Sequence, residues 1–217
     1  MATPPTERFL PALEEELQGE LNRFGEEVDL SEVIVTGDFS GCELIEPVFS
    51  QCRLERVQFI GSIFRYARLV DCVITDSDFS GAVMEECSLS RVEFRNCRAS
   101  GLQAPMGRFD DVGFFSCKLD GANFRLSSWK RADMGEADLA DSDFYGAKMP
   151  ASRIVHCDLS RAELSKADLA GSRLSGSNLD NVRGASTLRR ITISVDQITP
   201  LAFALFASQR INVSEED

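Results

Sequence analysis

The chain has one histidine, one tryptophan and two tyrosines in 217 residues. A single histidine leaves little for histidine-based catalysis or metal ligation. No apolar run approaches the ~20 residues a membrane-spanning helix needs. The longest, Ile198 to Ala207, is broken by Thr199 and Pro200. The first residues carry neither a basic cluster nor an apolar core, so no secretory leader is expected. No GxxxxGK[ST], GxGxxG or GxSxG is present, and the cysteines form no CxxC pair. These absences disfavour common nucleotide-binding, hydrolytic and zinc-binding designs. They point to a soluble cytoplasmic protein without cofactor or metal.

With 43% hydrophobic residues the chain can still fill a sizeable core. Its net charge of −12 argues against direct nucleic-acid binding. The acidity sits mostly at the ends. Residues 1–30 hold eight acids and two bases, whereas residues 91–130 hold seven bases and four acids.

What the chain has in abundance is a five-residue period. Stepping by five from Ile34 through Phe39, Leu44, Phe49, Leu54 and Phe59 to Leu179 passes 30 positions, and every one is apolar. Two residues before each lies a second column, in which 25 of 30 positions are Ala, Ser, Cys, Gly or Pro. All seven cysteines fall in it: Cys42, Cys52, Cys72, Cys87, Cys97, Cys117 and Cys157. Chance would place them all in one phase about once in eighty thousand sequences, so the period is physical. Five fits neither a helix at 3.6 nor a strand at 2, and demands a chain that turns a corner every five residues.

This alternation of small residue, polar residue and Leu or Phe, seen in Asp78-Phe79-Ser80-Gly81-Ala82 and Ala167-Asp168-Leu169-Ala170-Gly171, resembles the pentapeptide repeat family. The resemblance covers residues 32–181. It implies an all-β solenoid, a right-handed quadrilateral β-helix of about 7.5 coils and roughly 36 Å length, with four pentapeptides per coil. One large and one small inward residue in every five can fill a narrow square bore at protein density.

Stacking by twenty places Gly41, Gly61, Gly81, Gly101 and Gly121 at one corner, followed by Asp141, Arg161 and Asn181. The glycines suggest a positive-φ turn, with a change of turn type expected near Asp141. Ala99, Leu102 and Ala104 exchange large for small, so a bulge or kink is expected around 99–106. Residues 1–31 are expected to form an N-terminal cap. Within it Phe9, Leu10, Leu13, Leu17, Leu21 and Phe24 have the spacing of an amphipathic helix between Thr6 and Gly25. Residues 182–217 are expected to form a C-terminal cap, with a helix over Asp196–Ser208 and a short strand at Ile211-Asn212-Val213. That helix is apolar on nearly every side, more than one cap face requires. A homodimer through Ile198, Leu201, Phe203, Leu205 and Phe206 accounts for the surplus.

Cys52 and Cys72, like Cys97 and Cys117, stack one coil apart and are close enough to permit disulfides; the simpler reading is small apolar filler. His156 lies outside its coil with no pocket beside it. Asp138, Asp143, Asp158 and Asp168 occupy the repeat's outward polar position, where a carboxylate is solvated or bonded to nearby backbone. No catalytic role is assigned to any of them.

The remaining candidate is the surface. In resistance members of the family the rod is thought to imitate duplex DNA and bind DNA gyrase or topoisomerase IV, with two solenoids joined at their C-terminal ends. The resemblance implies such a non-enzymatic role here, with the acidic face built on Asp38, Asp78, Asp138 and Asp158. The alternative is a scaffold for another protein. Plasmid-borne quinolone-resistance members carry projecting loops, for which the unbroken frame from Ile34 leaves no room.

Overall fold

The computed structural model describes residues 8–13, the backbone of 20–21, and residues 28–211. The chain is a parallel β-solenoid in which each coil bonds to the one twenty residues ahead. Leu69 lies over Leu89 and Leu89 over Phe109, with Val83 over Gln103 and Gln103 over Asn123 on another side. Main-chain bonds tie the coils in both directions, as in Gly81 N–H to Ser100 O (2.9 Å) and Val83 N–H to Ser62 O (2.8 Å). The ladder ends where Arg173 pairs with Thr192.

The corner geometry is uniform. Every fifth residue from Gly41 to Asn181 has positive φ, whether glycine or not, as at Glu46, Tyr66, Arg91, Leu126 and Lys166. The left-handed conformation costs a side-chain-bearing residue about 1–2 kcal/mol. It is held because both neighbouring peptide units are fixed by bonds to the coils above and below. Asp141, with φ 58° and the turn bond Ser142 N–H to Leu139 O (3.1 Å), repeats the corner at Gly121. The expected change of turn type there does not occur. The kink expected at 99–106 is also absent. Leu102 is buried in the small column, Ala99 and Ala104 are buried opposite it, and the pairings at Arg98 and Gln103 hold the twenty-residue step. Exchanging large for small conserves volume without moving the backbone.

The irregularity lies earlier. Between Val35 and Gly37 the register slips against Leu54 and Val57, with Gly37 at φ 108°. Val35 is therefore fully buried and Ile34 only half-buried, so the inward frame begins at Phe39 and runs one residue later before it.

The bore is a stack of side chains. Phe39, Phe59 and Phe79 follow one another at 5.5 and 5.2 Å, Phe94 stacks on Phe114 at 4.5 Å, and Trp129 lies on Phe109 at 3.9 Å. In the small column a hydroxyl or thiol bonds a carbonyl of the preceding coil. Ser62 donates to Phe39 O (2.8 Å) and Ser177 to Ile154 O (3.1 Å); Cys72 Sγ reaches Phe49 O at 3.4 Å. This explains why serine and cysteine interchange there. All seven cysteines are free thiols. Burial pushes the Cys87 thiol up to about 12 and the Cys157 thiol up to about 11, which makes them poor nucleophiles at neutral pH.

The ends differ from expectation at the N-terminus. Residues 8–13 are not helical, and Glu20–Leu21 is a strand paired with Ile34–Val35; the rest of the expected helix lies outside the described residues. Pro11 interrupts the helical reading, since it has no N–H to donate. At the other end a 3₁₀ turn, Val195–Gln197, leads into helix α1, Ile198–Ser208. Pro200 sits in the first turn of α1, where its missing N–H costs nothing. Buried Gln197 accepts from the Ser194 N–H (2.7 Å) and donates to Leu174 O (2.8 Å) and Ser177 O (2.5 Å), closing carbonyls of the last coil. Ile211 is not in a strand, and residues 212–213 lie outside the described residues.

Candidate functional site: the charged walls

The four expected acids do share one column. Its pairings run Gln58–Asp78–Arg98–Lys118–Asp138–Asp158–Asn178, with Asp38 beside Gln58. Each of the four spends Oδ1 on the main chain two residues ahead: Asp38 on Ser40 (2.9 Å), Asp78 on Ser80 (2.8 Å), Asp138 on Ala140 (3.1 Å) and Asp158 on Ser160 (2.8 Å). The repeat's aspartate therefore fastens its own corner first. The bonds from Ser40 hold the Asp38 carboxyl below its usual range. Arg98 and Lys118 divide the column into two acidic stretches.

Much of the surrounding charge is paired across coils. Arg65 bridges Glu43 (3.0 Å) and Glu85 (2.8 Å), Arg161 meets Asp141 through two nitrogens (2.9 and 2.7 Å), and Arg183 meets Glu163 (3.0 Å). Such exposed pairs contribute at most about 1 kcal/mol each; their larger effect is to cancel field. The glycine corner between these columns carries no side chains over five coils. A Cβ added at Gly41, Gly61, Gly81, Gly101 or Gly121 would meet nothing within 4 Å.

The opposite wall carries residues that the sequence reading passed over. Asp71, Arg91, Asp111 and Arg131 stand at one corner in successive coils, alternating in sign. Arg91 holds both oxygens of Asp71 (2.6 Å each), and Arg131 holds both of Asp111. The N-terminal segment crosses this ladder. Phe9 N–H donates to Asp111 Oδ1 (2.9 Å), Ala12 N–H to Asp71 Oδ1 (3.0 Å), and Arg8 Nη2 to Glu93 Oε2 (2.5 Å). The Arg91 bonds hold the Asp71 carboxyl below its usual range. Burial opposes charge on Asp111, but the bonds from Arg131 and Phe9 outweigh it and its pKa also lies low. Sign alternation at a twenty-residue spacing was the signal available in the sequence.

His156 is exposed at a corner, with its ring so close over Gly176 that a Cβ there would lie 2.4 Å from Nδ1. At the C-terminal end Ile198, Phe203, Leu205 and Phe206 are exposed and Leu201 is half-buried against the core. Phe203, Phe206 and Ile211 help line a groove of about 870 Å³ between α1 and Asn181–Gly184. Among the described residues no helix is long and apolar enough to cross a membrane.

The family profiles for the pentapeptide repeat region and for pentapeptide repeats match residues 48–124 and residues 117–154 and 151–181. Together they take in well over half of the chain. The chain belongs to the pentapeptide repeat family. No significant match was found among curated proteins. Similar solved structures include full-length QnrB1, a plasmid-mediated fluoroquinolone resistance protein, at 21% identity, 86% of this chain, 94% of that chain and a TM-score of 0.45. HetL, involved in heterocyst differentiation regulation in Nostoc sp. PCC 7120, gives 20%, 80%, 86% and 0.31. A thylakoid-lumen pentapeptide repeat protein of Arabidopsis thaliana gives 22%, 50%, 73% and 0.41. Fold alone does not assign a role.

Proposed function

We propose that the chain is a non-enzymatic, homodimeric protein-binding rod whose glycine-cornered wall occupies the DNA-binding surface of a type II topoisomerase, gyrase or topoisomerase IV. Bound there, it protects the enzyme from an antibiotic that traps cleaved DNA. The observation that carries this reading is the single column holding Asp38, Asp78, Asp138 and Asp158, whose first two carboxylates stand beside the side-chain-free corner at Gly41, Gly61 and Gly81. A partner surface built for a phosphate backbone can approach such a wall closely, and aligned carboxylates would steer it. Exposed Ile198, Phe203, Leu205 and Phe206 on α1 supply the apolar surface for pairing two rods end to end.

A second reading is favoured by one specific observation, the cross-coil pairing of Arg65, Arg161 and Arg183 with neighbouring acids. A rod so neutralised suits a scaffold for a partner that does not bind DNA. Gyrase supercoiling, with drug-induced cleavage by gyrase and by topoisomerase IV, assayed with quinolones and with natural-product gyrase poisons, separates the two. Rescue of supercoiling by wild-type protein, lost in Asp138→Lys/Asp158→Lys, supports topoisomerase protection. No effect on either enzyme refutes it and favours the scaffold.

A further inference from the structure

We infer that the wall spanning Asp71 to Arg131 is a docking groove for an extended peptide carrying an arginine followed by an aromatic residue. Residues Arg8–Ala12 are its resident occupant in cis. This inference stands apart from the topoisomerase reading, because it concerns the wall opposite the glycine corner.

The backbone match comes first. Asp71 and Asp111 stand two coils apart in one column, about 9.6 Å at the spacing of parallel strands. They accept the N–H groups of Phe9 and Ala12, three residues apart, which an extended chain separates by about 10 Å. Gln51 Nε2 reaches the Ala12 carbonyl at 3.4 Å. These bonds read main chain only, so any extended segment satisfies them.

The side-chain seats supply selectivity. The Arg8 guanidinium lies in a slot between the Glu93 carboxylate, the Asp111 carbonyl (3.4 Å) and the Phe115 ring (5.5 Å to its centre). The slot depends on Gly113, where a Cβ would sit 3.0 Å from the Arg8 Cζ. A planar cation that bonds a carboxylate through one amino group and a carbonyl through the other while lying over a ring fits it, and a lysine ammonium does not. Arg131 stands over the Phe9 ring at 5.0 Å, a cation–π seat for the following aromatic.

Two features mark the occupant as exchangeable. Phe9 and Leu10 are 64% and 66% exposed, so the segment is held by polar contacts and its departure opens no core. Arg8 Nε is buried without a hydrogen-bond partner, so the slot is not fully satisfied by this segment. The groove also continues past Arg8 as a hollow of about 450 Å³ lined by Asp133, Glu136, Arg153 and His156.

The test uses the full chain and a fluorescein-labelled peptide, Thr-Glu-Arg-Phe-Leu-Pro-Ala-Leu, followed by fluorescence anisotropy. Arg8→Ala/Phe9→Ala, folded by circular dichroism, is expected to bind it at least tenfold tighter than wild type, whose groove is occupied. Adding Glu93→Gln and Asp111→Asn should abolish binding, as should replacing the peptide's arginine by alanine. Equal binding by wild type and the double variant, or binding that survives loss of Glu93 and Asp111, overturns the inference. Hydrogen exchange on wild type gives a second check. The Phe9 and Ala12 amides should exchange by local opening, well before the Leu89 and Phe109 amides of the ladder. Exchange of both sets in one event also overturns it.

Discussion

Replacing Phe124 by alanine is the sharpest test of how the bore is held. Phe124 is fully buried and stacks on Phe144 at 5.2 Å and 20°. It also meets Trp129 at 5.4 Å, Phe109 at 6.0 Å and Phe114 at 6.4 Å. A buried Phe→Ala change costs about 3–5 kcal/mol, depending on how far the site can collapse. Here it cannot collapse far. The Phe124 N–H is bound to Asp143 O (2.7 Å), and Ala104 N–H to Asn123 O (2.8 Å), so coils above and below keep their spacing. Each lost aromatic pair removes a further ~0.5–1.5 kcal/mol of specific geometry, part of which the truncation cost already includes. A loss near 4 kcal/mol follows, roughly a thousandfold in the unfolding constant. The single Trp129 is buried in contact with the same ring and reports the transition by fluorescence in guanidinium titrations. Far-UV circular dichroism should give the same midpoint if one cooperative event is followed. Tyr66→Ala, at an exposed corner, should move stability by less than about 0.5 kcal/mol. A Phe124→Ala loss below about 1.5 kcal/mol would refute the rigid-bore reasoning.

Gly81→Ala should cost about 1 kcal/mol by thermal melting although the new methyl meets nothing, because φ there is +63°; no loss would mean the corner relaxes freely. Phe203→Glu/Leu205→Glu should give monomers by light scattering with the solenoid's circular dichroism intact, and a persisting dimer would exclude α1 as the interface. Asp71 and Asp111 have folded pKa values below the ordinary 3.8. The stability that their charged forms contribute, while accepting the Phe9 and Ala12 N–H groups, is therefore fully present above pH 3.8 and lost as pH falls through the lower folded values. Protection of the Phe9 and Ala12 amides should persist at pH 5 and vanish only in stronger acid; loss between pH 7 and 5 would contradict this assignment.

The solenoid was legible because its code is local and repeated. A large and a small apolar residue every five positions fix which side chains face inward, and twenty-residue stacking fixes which residues share a column. The same regularity misled where a neighbour could serve equally well. Ile34 and Val35 are both branched aliphatics, and only a register slip decides that Val35 enters the bore. Glycine marked one corner as left-handed, whereas backbone bonds from two flanking coils impose the same conformation on Tyr66 or Leu126. The N-terminal segment was illegible for a different reason. Phe9, Leu10 and Leu13 have helical spacing, but their conformation is set by Asp71, Glu93 and Asp111, tens of residues away and gathered only by coiling. Asp38, Asp78, Asp138 and Asp158 were correctly grouped, yet the bonds each makes to its own turn follow from backbone geometry rather than from sequence.

The uniform corner has a consequence for how such a chain can change length. Removing five residues between Phe79 and Phe109 would leave the bore chemically intact, since every remaining large and small residue keeps its inward phase. It would, however, turn everything downstream by a quarter revolution. Asp138 and Asp158 would leave the line of Asp38 and Asp78, Asp111 would part from Asp71, and α1 would meet any second copy at a new angle. Removing twenty residues would shorten the rod by one coil and leave all of these alignments standing. The interior tolerates multiples of five, whereas the surface tolerates only multiples of twenty.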